Sequence, residues 1–296
     1  MATINEIKEK MVVVNSVGGF ANALQQIATM RMMALRDRVV ASKRFVDQAT
    51  DILRELNLYK EIIYQQEVNP QPKKVKKDSE IKQDIDNKPL KKALIIISSN
   101  QGLCGKFNAE IFRHFENEVL PKNPDSDIFI IGKKGQEHYM KNSKFQYKFY
   151  PYLLGDDFTS QDLLRLVDMF PYYDRILMTY SRYINTANRE VMQTLLVVPP
   201  SKNPIEADPK EKIKFVFEPS LDALIKDISS QLRAATFQQQ ILDSRLAQFS
   251  AQMMGMQAAT ENAKVLLDDL KLDYNKQRRK LIDKKISEVF AGSALW

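Results

Sequence analysis

Apolar positions at the start of the chain recur in alternating steps of three and four. They are Ile4, Ile7, Met11, Val14, Gly18, Ala21, Gln25, Ala28, Met32, Leu35, Val39, Ser42, Val46, Ala49, Leu53 and Leu56, with Gln25 and Ser42 as polar interruptions. The end of the chain carries the same rhythm through Ala235, Gln239, Leu242, Leu246, Phe249, Met253, Met256, Thr260, Ala263, Leu267, Leu270 and Tyr274. A seam repeating about every 3.5 residues must be covered by a second helix, and keeping it covered winds the pair left-handedly. No proline precedes Pro70 and none follows Pro219. At about 1.5 Å per residue, each helix is expected to run on the order of 80–110 Å, too long for a globular core. The natural cover for each seam is the other one, in an antiparallel coiled coil. Gly18 and Gly19 fall inside the first helix at a cost of roughly 2 kcal/mol relative to alanines. They predict a close approach of another backbone, or a bend.

The middle of the chain follows another pattern. NPQPKKVKKDSEIKQDIDNKP is charged and poor in apolar residues, which predicts an exposed linker. ALIIISS reads as a buried strand, GLCGKFNAEIFRHFENEV as a turn and helix, and DIFIIG as a second strand. GQEHYMKN and SQDLLRLVDMF read as helices, FQYKFYPYL and RILMTYSRYI as strands, and IKFVFEP as a closing strand. VVPPSKNPIEADPKEK is a proline-rich loop, after which Ser220 is the expected N-cap of the last helix, with Asp222 in its first turn and Gly292 at its end. Strands alternating with helices predict a Rossmann-like α/β domain with a mainly parallel sheet. The expected division is a first long helix over 1–66, a linker over 67–90, the α/β domain over 91–218 and a last long helix over 219–296.

Composition narrows the function. No run of about eighteen apolar residues occurs, so no direct membrane span is expected. The start, MATINEIKEK, lacks an apolar signal core. The lone Cys104 excludes an internal disulfide, and His114 and His138 lack companion cysteines for a zinc site. The net charge of +7 points to an acidic partner. Lys271, Lys276, Arg278, Arg279, Lys280, Lys284 and Lys285 concentrate it near the end, against Asp273 and Asp283. Such a run is a solvated face, a contact for an acidic protein surface, or a nucleic-acid patch.

No catalytic constellation emerges. GLCGKFN sits where a phosphate loop would, between strand and helix, but its spacing is GxxGK and Phe107 stands where a hydroxyl would hold magnesium. A tight strand-to-helix turn is the expected role of its glycines. Cys104 and His114 would lie about 15 Å apart along one helix, out of hydrogen-bond reach. No enzyme activity, cofactor or metal is expected. Met30, Met32, Met33, Met253, Met254 and Met256 are expected as seam filler or as contacts to a surrounding sleeve.

The tail MQAATENAKVLLDDLKLDYNKQRRKLIDKKISEVFAGSAL resembles a signature of the gamma subunits of F-type ATP synthases. The matching positions are Met256, Ala258, Ala259, Thr260, Asn262, Leu270, Leu272, Tyr274, Asn275, Arg278, Ile282, Ile286, Glu288 and Gly292. SSNQGLCGKFN and RYINTANREV resemble two further motifs of that family, and Ile7, Val14, Ala23, Ile27, Ala28, Asp37 and Arg38 match its first helix. The resemblance implies a non-catalytic central-stalk rotor. Its paired terminal helices would stand inside a ring of catalytic and non-catalytic subunits, with the α/β domain at the foot. Implied partners are that ring, an epsilon-type stalk subunit and a membrane ring, with no nucleic acid. The implied location is the cytoplasmic face of the plasma membrane, within the complex. Arg278 matches an arginine that meets a catch loop of the catalytic subunits. With it, Arg279, Lys276, Asp283, Lys285, Met30 and Met32 are the expected ring contacts.

The sequence departs from the family in places. Arg279 stands where the family has glutamine, Asp283 where it has threonine, and Lys285 where it has glutamate. Val17-Gly18-Gly19-Phe20 replaces a polar and basic stretch. These departures leave two rotors open, one coupled to proton translocation and one in a paralogous ATPase driving another process such as motility. A coiled-coil adaptor or a nucleic-acid binder using the basic tail is the alternative from another class.

Overall fold

The computed structural model describes residues 3–68, 92–142, 147–156, 158–167, 170, 173, 175–196, 218 and 220–293. Nearly all of the expected linker lies outside them, as do the proline-rich loop and the strand expected at 213–217. The elements are α1 (Ile4–Val68), β1 (Lys92–Ile97), α2 (Phe107–His114), β2 (Asp127–Ile131), α3 (Lys133–Lys141), β3 (Phe149–Tyr152), α4 (Ser160–Val167), β4 (Arg175–Tyr183), β5 (Arg189–Leu195) and α5 (Leu221–Ser293). Two compact units form. The first contains 1–33, 103–105 and 249–296; the second contains 34–102 and 106–248.

In the first unit α1 and α5 run antiparallel. Lys8 Nζ lies 5.7 Å from the centre of the Tyr274 ring, and the Arg31 guanidinium 5.5 Å from that of Phe249. Between these points Gly18 faces Ala263 so closely that a Cβ on the glycine would lie 3.1 Å from the alanine's Cβ. This close approach is what Gly18 permits, whereas a Cβ on Gly19 would meet nothing within 4 Å. Ile7, Ala21, Ala28, Met256 and Ala263 are buried, and every other seam position of this unit except Phe249, itself buried, is half-covered. A reciprocal cap opens α1: the Thr3 N–H donates to Glu6 Oε2 (3.1 Å) and the Glu6 N–H to Thr3 Oγ1 (3.3 Å). The loop 103–105 turns through left-handed backbone at Leu103 (φ 63°) and Gly105 (φ 55°). Its backbone rests on α5 at Gly255, where an added Cβ would lie 3.5 Å from the Leu103 carbonyl oxygen.

The second unit holds the sheet, in the order β3-β2-β1-β4-β5. The first three pairings are parallel and the last is antiparallel. β1 is central, and from Ala93 onward it is buried on both faces, which suits its unbroken apolar run. The hairpin to β5 was not expected from the sequence. Its turn is built by Asn185, whose Oδ1 accepts the N–H groups of Ala187 (3.0 Å) and Asn188 (2.7 Å). A π-helical turn over Phe115–Val119 continues α2.

The remaining halves of the long helices also pair antiparallel in this unit, with an ion pair from Lys60 to Asp222. Ser220 caps α5 as expected, its Oγ accepting the Ala223 N–H at 3.3 Å. Between Phe237 and Gln248 the burial of α5 extends well beyond the seam. Ile241, Leu242, Ser244, Arg245, Leu246, Ala247 and Gln248 are all buried. Phe170 meets Phe237 with ring centres 6.3 Å apart. Each buried Leu or Ile here contributes about 1.5–3 kcal/mol. At its far end the described part of α5 runs through Gly292 to Ser293, one residue past the glycine expected to end it.

Two predictions follow from this packing. Gly19→Ala should raise thermal stability by about 0.5–1 kcal/mol, because the alanine favours helix and meets nothing. Gly18→Ala gains the same propensity but must push against Ala263, so it should melt below Gly19→Ala; circular dichroism melts in which Gly18→Ala is the more stable would refute the close approach. The second concerns Asp243. Burial pushes its carboxyl above the ordinary range, and the Gln239 hydrogen bond and the positive charges of Lys43 and Arg182 reverse only part of this. A raised carboxyl favours the protonated folded state. Its penalty is absent below the ordinary carboxylate pKa, grows as pH rises to the raised one, and is constant above. Asp243→Asn should therefore be more stable than the parent at neutral pH, with the difference vanishing in acid. Equal melting at neutral pH would show that the ionic partners offset the burial.

Candidate functional site

The seam of the first unit ends before α5 does. Because Lys8 lies over Tyr274 and α1 starts at Ile4, the partner helix is exhausted within about one turn. From Arg278 to Ala291 every residue of α5 is exposed. This bare end carries Leu281, Ile282, Ile286, Val289 and Phe290 as exposed apolar side chains, Val289 at 71% and Phe290 at 70%. Interspersed are Arg278, Arg279, Lys280, Lys284 and Lys285, with Asp283. Lys276 makes a local ion pair to Asp273 at 3.7 Å and Lys284 one to Glu288 at 3.8 Å, both on the helix surface. Surface pairs of this kind are worth little, about 0–1 kcal/mol. Their heads remain available to a partner.

Of the expected contacts, Lys276, Arg278, Arg279, Asp283 and Lys285 thus lie within three turns of one helix. Arg278 and Arg279 project about 100° apart. Met30 and Met32 are elsewhere: the neighbouring Arg31 meets Phe249, roughly 40 Å along α5 from Arg278. Met30 is exposed at 71%, whereas Met32 is half-buried in the seam. The other methionines divide in the same way, with Met33 and Met254 exposed and Met253 and Met256 in the seam.

A second apolar stripe was not foreseen. Val13, Val17, Phe20, Leu24 and Ile27 repeat at seam spacing on α1, one residue behind the buried seam. Leu24 is half-buried, and the other four are exposed, from 48% at Ile27 to 64% at Phe20. No charged residue occurs from Met11 to Met30. The spacing itself was the available signal.

The glycine-rich turn is occupied by its own polar groups. Asn108 Oδ1 accepts the Ser99 N–H (3.0 Å), and Asn108 Nδ2 donates to Ser99 Oγ (2.7 Å). Ser98 Oγ donates to the Ile131 carbonyl (3.0 Å) and accepts the Gly135 N–H (2.9 Å). These bonds fasten the end of β1 to the starts of α2 and α3. His138 stacks on Phe112 (4.4 Å between centres) and contacts Glu116 at 3.2 Å, while His114 contacts Glu118 at 3.2 Å. Burial and the neighbouring Glu116 push the Tyr139 hydroxyl well above its usual range. Among the described residues no cluster of histidine, cysteine and carboxylates could hold a metal ion, and no helix is long and apolar enough to cross a membrane.

Comparison with known proteins places this geometry. An ATP synthase gamma chain of Haemophilus influenzae (strain PittEE) is 28% identical over 99% of both chains. One of Flavobacterium psychrophilum is 27% identical, covering 99% of this chain and 98% of that one. Among solved structures, the central stalk and c-ring of the Tetrahymena thermophila mitochondrial ATP synthase includes a chain similar in fold, with a TM-score of 0.57 at 16% identity. That match covers 81% of this chain and 99% of the other. A chain of the Euglena gracilis mitochondrial ATP synthase matches at a TM-score of 0.54 and 17% identity, over 89% and 93% of the two chains. The long helices, the mostly parallel sheet and a family profile described as ATP synthase, which matches residues 3–295, agree: the chain belongs to the ATP synthase family.

Proposed function

We propose that this chain is the non-catalytic central-stalk rotor, or gamma subunit, of an F-type ATPase. It couples ATP synthesis or hydrolysis in a surrounding ring to rotation and proton translocation. The observation that carries this reading is the bare end of α5. A helix with exposed Leu281, Ile282, Ile286, Val289 and Phe290, and with cations on several faces, needs a partner that encircles it. Solved ATP synthase stalks share the fold, and the curated relatives are gamma chains. The functional parts are taken to be the helical segments 1–66 and 219–296, with the α/β domain at 91–218 as the foot. The partners are the catalytic and non-catalytic ring subunits, an epsilon-type stalk subunit and a membrane ring. The complex would hold the chain at the cytoplasmic face of the plasma membrane.

Lys276, Arg278, Arg279, Asp283 and Lys285 contact the ring at the bare end, and the exposed Met30, with the uncovered part of the half-buried Met32, contacts it lower on the helix pair. A second reading, a rotor driving another process such as motility, is favoured by the uncharged, exposed apolar stripe through Val17 and Phe20. Mass spectrometry of the natively purified complex separates the two. Proton-channel ring subunits beside catalytic subunits support the first; catalytic subunits with other proteins support the second. The absence of any catalytic-type ATPase subunit would sink both.

The purified chain alone should hydrolyse no ATP, and turnover abolished by Lys106→Ala would overturn the reading. In the assembled complex, Arg278→Ala with Arg279→Ala should leave assembly intact because the seam is untouched. Each lost charge-assisted hydrogen bond to a carboxylate should cost about 1.5–3 kcal/mol of ring contact. Hydrolysis and rotation at the parent's rate would show that these arginines are a solvated face only.

A further inference from the structure

Arg245 is the largest fully buried side chain among the described residues, 1% exposed on the part of α5 that belongs to the sheet-containing unit. Its Nη1 donates to Gln248 Oε1 at 2.8 Å and lies 3.4 Å from Asp156 Oδ1. Its Nη2 donates to the Leu154 carbonyl at 3.1 Å. The receiving loop, between β3 and α4, is itself held. Asn100 Nδ2 donates to the Leu154 carbonyl (2.7 Å) and to Asp156 Oδ1 (3.0 Å), and Gln101 Nε2 donates to Asp156 Oδ2 (3.1 Å). Asn100 Oδ1 accepts the Lys133 N–H at 3.2 Å, at the start of α3. One buried cation therefore joins α5 to the exits of β1 and β3 and, through Asn100, to α3.

A regular apolar seam holds two elements together but discriminates poorly between settings that present similar side chains. A single buried polar group sets the register, because every other setting leaves it without partners. Three and four positions away on α5 stand Ile241, Leu242, Gln248 and Phe249; apart from Gln248, which Arg245 itself engages, they are apolar and would accept alternative settings. Turning α5 by one residue position, about 100°, removes the guanidinium from both acceptors of the 154–156 loop. The planar fork demands that geometry, which a lysine cannot copy.

We propose that Arg245 and Asp156 form a register key: Arg245 is a positioning residue that fixes the rotational setting of α5 against the sheet. The key is a property of the folded chain. Its consequence, that torque in α5 reaches the sheet without slip, rests on the rotor reading above.

The test places spin labels at the exposed Lys226 and Met140 of the full chain, each changed to cysteine in a Cys104→Ser background, and measures their distance distribution. The parent should give one narrow population. Arg245→Met, which keeps the bulk and removes the charge, and Asp156→Asn, which keeps the shape, should each give a broadened or second population. Phe237→Leu, which loosens the same unit without touching a polar partner, should not. Parent-like distributions in both polar variants overturn the key, as does equal broadening in Phe237→Leu. If Arg245→Met does not fold, Asp156→Asn decides. A probe attached at position 140 of the assembled complex then reads the consequence: dwell angles should spread in Asp156→Asn and stay sharp in Phe237→Leu. If the parent complex does not rotate, the rotor reading fails while the distance result still judges the key.

Discussion

The antiparallel register of α1 on α5 is the constraint that decides what else the helices can do. In the first unit it is anchored where Gly18 admits Ala263, with Lys8 over Tyr274 on one side and Arg31 over Phe249 on the other. Fixing those meetings fixes which residues are covered. The bare end is a direct result: α1 starts at Ile4, and among the described residues every position of α5 from Arg278 to Ala291 is exposed. A seam shifted by one heptad would cover or expose a different set of side chains, and the basic and apolar residues of the tail would lose their present exposure.

Much of this was legible in the residues. Every seam position named from spacing in either helix is buried or half-covered, because a 3.5-residue repeat records the one face that must stay dry. β1, β2 and β4 were legible for a similar reason: buried strands need continuous apolar runs. β5 was not, since REVMQTL mixes polar and apolar residues as an antiparallel edge strand does, and nothing local marks it as paired. The buried stretch of α5 around Arg245 was equally hidden. Periodicity reports one face, and an arginine two positions after Asp243 gives no sign that the carboxylate it meets belongs to Asp156, in a distant loop. Among the candidate contacts, Arg278 came from a motif, whereas the exposed apolar set at the tail became visible only once the end of its partner helix was known. Spacing separates the two methionines: Met32 stands at a seam position and is half-buried, while Met30, two residues earlier, is exposed.

The segment SSNQGLCGKFN shows how one motif serves several tasks. Its serines and Asn108 close the hydrogen bonds of the strand exits, Asn100 and Gln101 hold Asp156, and Leu103–Gly105 turns back to lie on α5. The left-handed backbone at Leu103 is the conformational cost of that turn, about 1–2 kcal/mol for a residue with a side chain.

The uncharged face of α1 has a mechanical consequence. A charged cylinder turning inside a collar with fixed charges meets an energy that rises and falls with angle, because each ion pair must break before the next forms. From Met11 to Met30 this helix offers no charge with which to form one. Its contacts there would be dispersion and apolar burial, which are non-directional and vary smoothly as one surface slides over another. On the rotor reading, angular preference would fall to charges elsewhere, those of Glu261, Lys264, Asp268 and Asp269 on the facing stretch of α5 and those of the bare end. On that same reading, this face of α1 would be a zone that lubricates rotation beside charged zones that can detain it.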